Sequence, residues 1–142
     1  MIRYWSFKMP PLDKIDCLQP NLKKGYGRLR TVNQICWLGR ILYDIEEMNS
    51  LRALKGLHAR GVISTSQEHL LQRAFIFFTE AMYQLYLLDY DDFTRLPETG
   101  SKDRETVCRQ MGLADFSVFA SQLREHTYNT CRIWFEIKDR FI

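Results

Sequence analysis

The stretch Asn21-Leu22-Lys23-Lys24-Gly25-Tyr26-Gly27-Arg28-Leu29-Arg30-Thr31-Val32-Asn33 gathers the residue types that would meet a phosphate. Lys23, Lys24, Arg28 and Arg30 supply positive charge. Gly25 and Gly27 let backbone come close to an anion or to another backbone. The stretch runs directly into apolar positions at helical spacing, and a helix start adds open N–H groups and the positive end of a dipole. Lys23, Lys24, Gly25, Gly27, Arg28 and Arg30 are therefore the candidate phosphate- or partner-binding residues. The stretch holds no carboxylate. It is not a P-loop, because G-x-x-x-x-G-K-[ST] is absent, nor a dinucleotide fingerprint, because no βαβ pattern surrounds it. The plainer reading is a basic loop before a solvated helix start.

Other chemistry-bearing residues are scattered. Asp89, Asp91 and Asp92 form an acidic cluster, but without the D-x-D-x-D-G order of a calcium loop, and they read as a solvated helix-terminating loop. His58, His69 and His126 have no Cys or Ser at a spacing that suggests a dyad, and His126 reads as a hydrogen-bonded core histidine. Cys17, Cys36, Cys108 and Cys131 contain no C-x-x-C pair, and none stands beside a histidine at ligand spacing. No catalytic residue and no metal site is assigned, and no cofactor is expected of this chain by itself.

A formal net charge of +3 over 142 residues is too small to argue for nucleic acid, which asks for a dense basic stripe. No run approaches the roughly 20 apolar residues of a membrane span. The N-terminal Met-Ile-Arg-Tyr-Trp-Ser-Phe-Lys lacks the apolar core of a signal peptide. The expectation is a cytoplasmic protein with reduced thiols, binding neither nucleic acid nor membrane.

These residues must be positioned by helices. Residues 1–20 hold Pro10, Pro11 and Pro20 without periodicity and read as an irregular N-terminal arm, with Trp5 and Phe7 as anchors. Residues 21–142 read as one helical-bundle domain. Val32, Ile35, Cys36, Gly39, Leu42 and Tyr43 define the inner face of a first helix from Leu29 to about residue 47. Asn49 caps a second, lined by Leu51, Leu54 and Leu57 and ended by Gly61. Thr65-Ser66-Gln67-Glu68 has capping-box spacing and opens a long helix to about Leu88. Its principal stripe is Leu71, Ala74, Phe75, Phe78, Met82 and Leu85. Ile76, Phe77, Tyr83, Tyr86 and Leu87 make its other sides apolar too, which predicts a central, buried helix, the alternative being a partner-covered one. A short fourth helix spans about 102–111 and stops at Gly112. Asp115 caps a fifth, with Phe116, Phe119, Leu123, His126, Thr130, Trp134 and Ile137 inward. No segment alternates with period two. The fold class is all-α, a five-helix bundle.

In order and spacing the chain resembles the helical domain that follows the nucleotidyltransferase domains of glutamine-synthetase adenylyltransferase and PII-protein uridylyltransferase. Asn21, Leu22, Lys23, Gly25, Gly27, Leu29, Arg30 and Val32 fit that family's (N/D)-(I/V/L)-K-x-G-x-G-G-(I/L)-R-(D/E)-I-E. Asn49 to Leu54, Leu57 and Gly61-Val62-Ile63 fit its N-T-L-x-A-L-x-x-L-x-x-x-G-L-L. Leu96-Pro97 fits its L-P, and Met111-Gly112, Phe119, Leu123, His126 and Phe135 fit its closing M-G…F…L…H…F. The resemblance covers about residues 21–137, and the Met-Gly ending leans toward the adenylyltransferase branch.

The departures fall where chemistry would be. Arg28 replaces the third glycine, and Thr31 and Asn33 replace the acidic pair. Met82, Tyr83 and Gln84 stand for E-H-R, and Asp92, Phe93 and Thr94 for Q-T-H. In the family the transfer chemistry belongs to a separate α/β domain with a G-S turn and magnesium-holding aspartates, and this chain carries neither. The resemblance therefore implies a non-catalytic accessory or regulatory domain connected with nitrogen regulation. It would pack on a nucleotidyltransferase domain in cis or in trans, with magnesium and nucleotide entering only with that domain. The alternative is a stand-alone interaction module that binds a second copy of itself or another protein.

Overall fold

The computed structural model describes residues 21–24, 27–43, 49–97 and 101–141. The N-terminal arm, Gly25, and the stretch after Tyr43 into which the first helix is expected to run all lie outside the described residues. Five helices make up the described chain: α1 (Leu29–Tyr43), α2 (Ser50–Ala59), α3 (Thr65–Leu87), α4 (Lys102–Gln110) and α5 (Phe116–Phe141). The only pairing of extended type among the described residues is an isolated antiparallel bridge between Asn21 and Arg95. The fold is an all-α bundle. None of these helices is long and apolar enough to cross a membrane.

Local chemistry sets the helix ends. Asn49 caps α2, its side chain accepting from the Arg52 N–H. Ser101 caps α4 through the Arg104 N–H, and the Asp115 carboxylate accepts the Val118 N–H at the start of α5. The capping box of α3 sits one residue earlier than its spacing suggests. Ser64 is the cap, and the Gln67 side chain reaches back to the Ser64 N–H. A polar run offers overlapping S/T-x-x-E/Q registers, Ser64 to Gln67 and Thr65 to Glu68, and the first is the one that forms.

Three helices stop in the same way. Gly61, Asp89 and Gly112 each take positive φ, and the next N–H bonds back five residues: Val62 to Leu57, Tyr90 to Leu85 and Leu113 to Cys108. Asp89 thus ends α3, while Asp91 and Asp92 are exposed, as expected of a solvated loop.

Antiparallel α3 and α5 form the most extensive pair. Phe78, Leu85, Phe119, Leu123, Trp134 and Ile137 fill the core with Val32, Ile35, Leu54 and Leu57 from α1 and α2. Two expectations fail. Leu42 is exposed instead of inward. The long helix α3 packs against each of the other four helices, as a central helix does, but it is not buried all round: Ile76, Tyr83, Tyr86 and Leu87 face outward, and the inner stripe takes Phe77 and Ala81 in place of Phe75 and Met82, which are only partly buried. The four neighbours leave one strip of α3 uncovered, so its excess apolar residues lie on the surface.

Candidate functional site

The basic turn is held by its own backbone. The Asn21 side-chain oxygen accepts the N–H groups of Lys23 (3.0 Å) and Lys24 (2.7 Å). The N–H of Leu29 donates to the Leu22 carbonyl and that of Arg30 to the Lys23 carbonyl. The Gly27 N–H donates to Thr31 Oγ1 at 2.9 Å. These amides are therefore engaged, and the open helix start that the sequence suggested is closed by the chain before it. Any contact with an anion falls to the side chains of Lys23, Lys24 and Arg30, all exposed.

Arg28 and Gly27 turn the other way. Arg28 is 4% exposed. Its Nε donates to Thr127 Oγ1 at 2.8 Å, and an Nη donates to the Asn21 carbonyl at 3.2 Å. Gly27 has φ +79°, and a Cβ there would stand 2.5 Å from Cys131 Sγ and 2.6 Å from the Thr127 carbonyl. Its missing side chain lets α5 approach. Thr31 and Asn33, at the positions of the family's acidic pair, also serve the scaffold. Thr31 closes the turn, and the Asn33 side chain accepts from the Ser50 hydroxyl at 3.3 Å, joining α1 to α2.

The two stretches that looked most like chemistry are neighbours in space. The Leu22 N–H donates to the Thr94 carbonyl at 2.7 Å, so the basic turn lies against the loop that holds Asp91 and Asp92. The Thr94 hydroxyl and N–H both donate to the Asp92 carboxylate, which holds its pKa below the usual value, with smaller contributions from Arg95 and Lys24. A cleft of about 530 Å³ opens there between Tyr90, Asp92, Arg95, Pro97 and Ser101. Among the described residues no three of His, Cys, Asp and Glu are grouped where they could hold a metal ion.

A second concavity had no motif to announce it. A groove of about 380 Å³ runs between α3 and α5, closed at one side by Met111 and Leu113. His126 lines it, half-buried, its ring tilted at 40° to the Phe77 ring with the centroids 4.8 Å apart. It is not the hydrogen-bonded core histidine that its position suggested. Burial pushes its imidazole down from the ordinary 6.5, reinforced by Arg73 and opposed by Glu125, so it is neutral at pH 7. His58, by contrast, bridges α2 and α3, with Nδ1 3.2 Å from Glu68 and Nε2 3.0 Å from Thr65 Oγ1.

A family model described as GlnD PII-uridylyltransferase matches residues 12–134. That is the branch opposite to the one toward which the Met-Gly ending leans. No curated protein and no solved structure matches the chain.

Proposed function

Because the chain belongs to the PII-uridylyltransferase family, we propose that it is a non-catalytic helical accessory domain that packs on a nucleotidyltransferase domain, in the same protein or in trans. Nucleotidyl transfer needs a metal and charge-stabilising groups arranged about the phosphates. The resemblance assigns those groups to a separate α/β domain, which leaves this helical part a supporting role. The observation that carries the reading is the outer stripe of α1. Arg30, Gln34, Trp37 and Ile41 follow one another at helical spacing, and Trp37 is 61% and Ile41 73% exposed. An exposed tryptophan and isoleucine on the helix whose first turn holds Arg30, with Arg40 over the Trp37 ring and Lys23 and Lys24 at the helix start, join apolar and basic side chains on one element, the composition of a docking surface.

The test mixes the purified chain with the nucleotidyltransferase domain of a PII-uridylyltransferase from the same genome and follows association by calorimetry. Trp37→Glu with Ile41→Glu should weaken binding by at least about thirtyfold, the cost of a central anchor. Absence of association at about 0.1 mM, a free energy weaker than about 5.5 kcal/mol, would sink the packing role. A thermal-shift titration with ATP or UTP and magnesium addresses the basic turn. A shift lost in Lys23→Ala with Arg30→Ala assigns it to nucleotide, and no shift, or one that the substitutions leave unchanged, would sink a nucleotide role for the turn.

A second reading, a self-associating interaction module, is favoured by Tyr83, Tyr86 and Leu87, which lie exposed together on the last turns of α3. Light scattering should then show a dimer that Tyr83→Glu with Tyr86→Glu dissolves, and a strict monomer would refute it.

A further inference from the structure

We propose that the groove between α3 and α5 binds a short, extended, basic segment of a partner polypeptide. Arg73, Glu80, Gln122, Glu125, His126 and Asn129 all line it. None of the six makes a side-chain hydrogen bond or ion pair with another of the described residues, although an imidazole, two amides and three charges converge there. An apolar-lined cleft with a few convergent polar groups has the form of a ligand site. Its apolar lining is buried Phe77 with Leu70 and the more exposed Ile76.

The spacing selects the shape of the occupant. Arg73 and Glu80 are seven residues apart on α3, as are Gln122 and Asn129 on α5. Seven residues of helix span about 10 Å, the length of about three residues of extended chain. The helices run antiparallel, with Gln67 bonded to Glu136 near one end and Phe77 against both Phe119 and His126 further along. Arg73 therefore falls toward the end that holds Asn129, and Glu80 toward the end that holds Gln122. Each primary amide offers a donor and an acceptor, the complement of a peptide group. The amide pair thus grips the backbone at two places, with His126 and Phe77 beneath the middle.

Charge selects the sequence of the occupant. One guanidinium and two carboxylates leave the groove with an excess of negative charge, because the imidazole between them is neutral at pH 7. A nucleotide phosphate is repelled by that balance, whereas a lysine or arginine side chain finds Glu80 and Glu125.

The proposal does not rest on the chain's packing on a nucleotidyltransferase domain, and its test uses the chain alone. Fluorescein-labelled pentapeptide mixtures, blocked at both ends, carry Lys at two alternate positions or Glu at the same two, with uncharged residues elsewhere. Fluorescence anisotropy should show the Lys mixture binding at least about tenfold more tightly than the Glu mixture, as expected for charge-assisted hydrogen bonds. Glu80→Gln should weaken the Lys mixture by about tenfold, and Gln122→Ala with Asn129→Ala by a similar factor, with the thermal midpoint unchanged in each. In a nitrogen-15 correlation spectrum the side-chain amides of Gln122 and Asn129 should shift on titration. No binding of the Lys mixture at about 1 mM would overturn the proposal. Equal binding of the Glu mixture, indifference to both sets of substitutions, or a requirement for a free peptide terminus would do the same.

Discussion

Replacing Gly27 by alanine tests the central structural finding, that the basic turn is shaped by α5. Two separate costs add. The backbone at Gly27 has φ +79°, and an L-residue in that region costs about 1–2 kcal/mol. The new methyl would also meet Cys131 Sγ at 2.5 Å, the Thr127 carbonyl at 2.6 Å and Thr127 Cγ2 at 2.9 Å. The carbonyl belongs to the α5 backbone and has no rotamer to change, and Cys131 is fully buried. Overpacking of this kind adds about 1–3 kcal/mol, so the sum is about 2–5 kcal/mol. Gly61 supplies the control, because it has φ +74° and no atom lies within 4 Å of the place a methyl would take. Gly61→Ala should therefore cost only the conformational part, about 1–2 kcal/mol. Urea unfolding followed by far-ultraviolet circular dichroism gives both values. The variant Gly27→Ala with Cys131→Ala removes one of the colliding atoms and should show a favourable coupling of about 1 kcal/mol. If Gly27→Ala loses no more than Gly61→Ala, the turn does not lie tight against α5 and the reasoning fails.

Arg28→Met should cost about 2–3 kcal/mol, since it strips charged hydrogen bonds from the Thr127 hydroxyl and the Asn21 carbonyl, whereas exposed Lys24→Met should stay within about 0.5 kcal/mol. Equal urea midpoints for the two would show that Arg28 is no strut. The His126 pKa is lowered by folding, so the unfolded chain takes up a proton that the folded one resists, and stability should fall as the pH drops below 6.5. His126→Gln should flatten that limb of the stability–pH curve, and an unchanged slope would refute the assignment. The thiols of Cys36 and Cys131 are pushed up to about 12 and that of Cys108 to about 11, chiefly by burial. A disulfide reagent at pH 8 should therefore leave all three unmodified until urea unfolds the chain, and rapid labelling of any of them in the native protein would contradict their placement.

Much of the bundle is written locally. The caps Asn49 and Asp115, the stops Gly61 and Gly112, and the apolar period of each helix act over three to five residues, so they can be read without knowing the fold. Even so, the cap of α3 slips by one residue, because neighbouring polar residues offer the same spacing. The end of α3 at Asp89 carries no glycine to mark it, and the residue reads instead as part of an acidic cluster.

What lay beyond local reach was which side of each element would be covered. Periodicity gave α3 an apolar surface nearly all round, but only packing decided that Phe77 and Ala81 go inward while Ile76, Tyr83, Tyr86 and Leu87 do not. The same holds for the glycine-basic turn. Its composition fixed where charge and freedom of backbone lie in the chain. Arg28 and Thr127 are 99 residues apart in sequence, and Gly27 meets α5 across a similar distance, so no window along the chain contains both partners. Tertiary structure therefore split the turn, turning Gly27 and Arg28 to the scaffold and leaving Lys23, Lys24 and Arg30 at the surface. The groove between α3 and α5 is the extreme case, since its polar residues sit singly among ordinary helical neighbours and become a set only when the two helices pack antiparallel. Sequence alone determined the family, the helices and the charge of the turn, because these depend on residue order and short-range bonds. The tertiary structure decided which of those residues face a partner, because burial is a property of surfaces that meet only after the chain has folded.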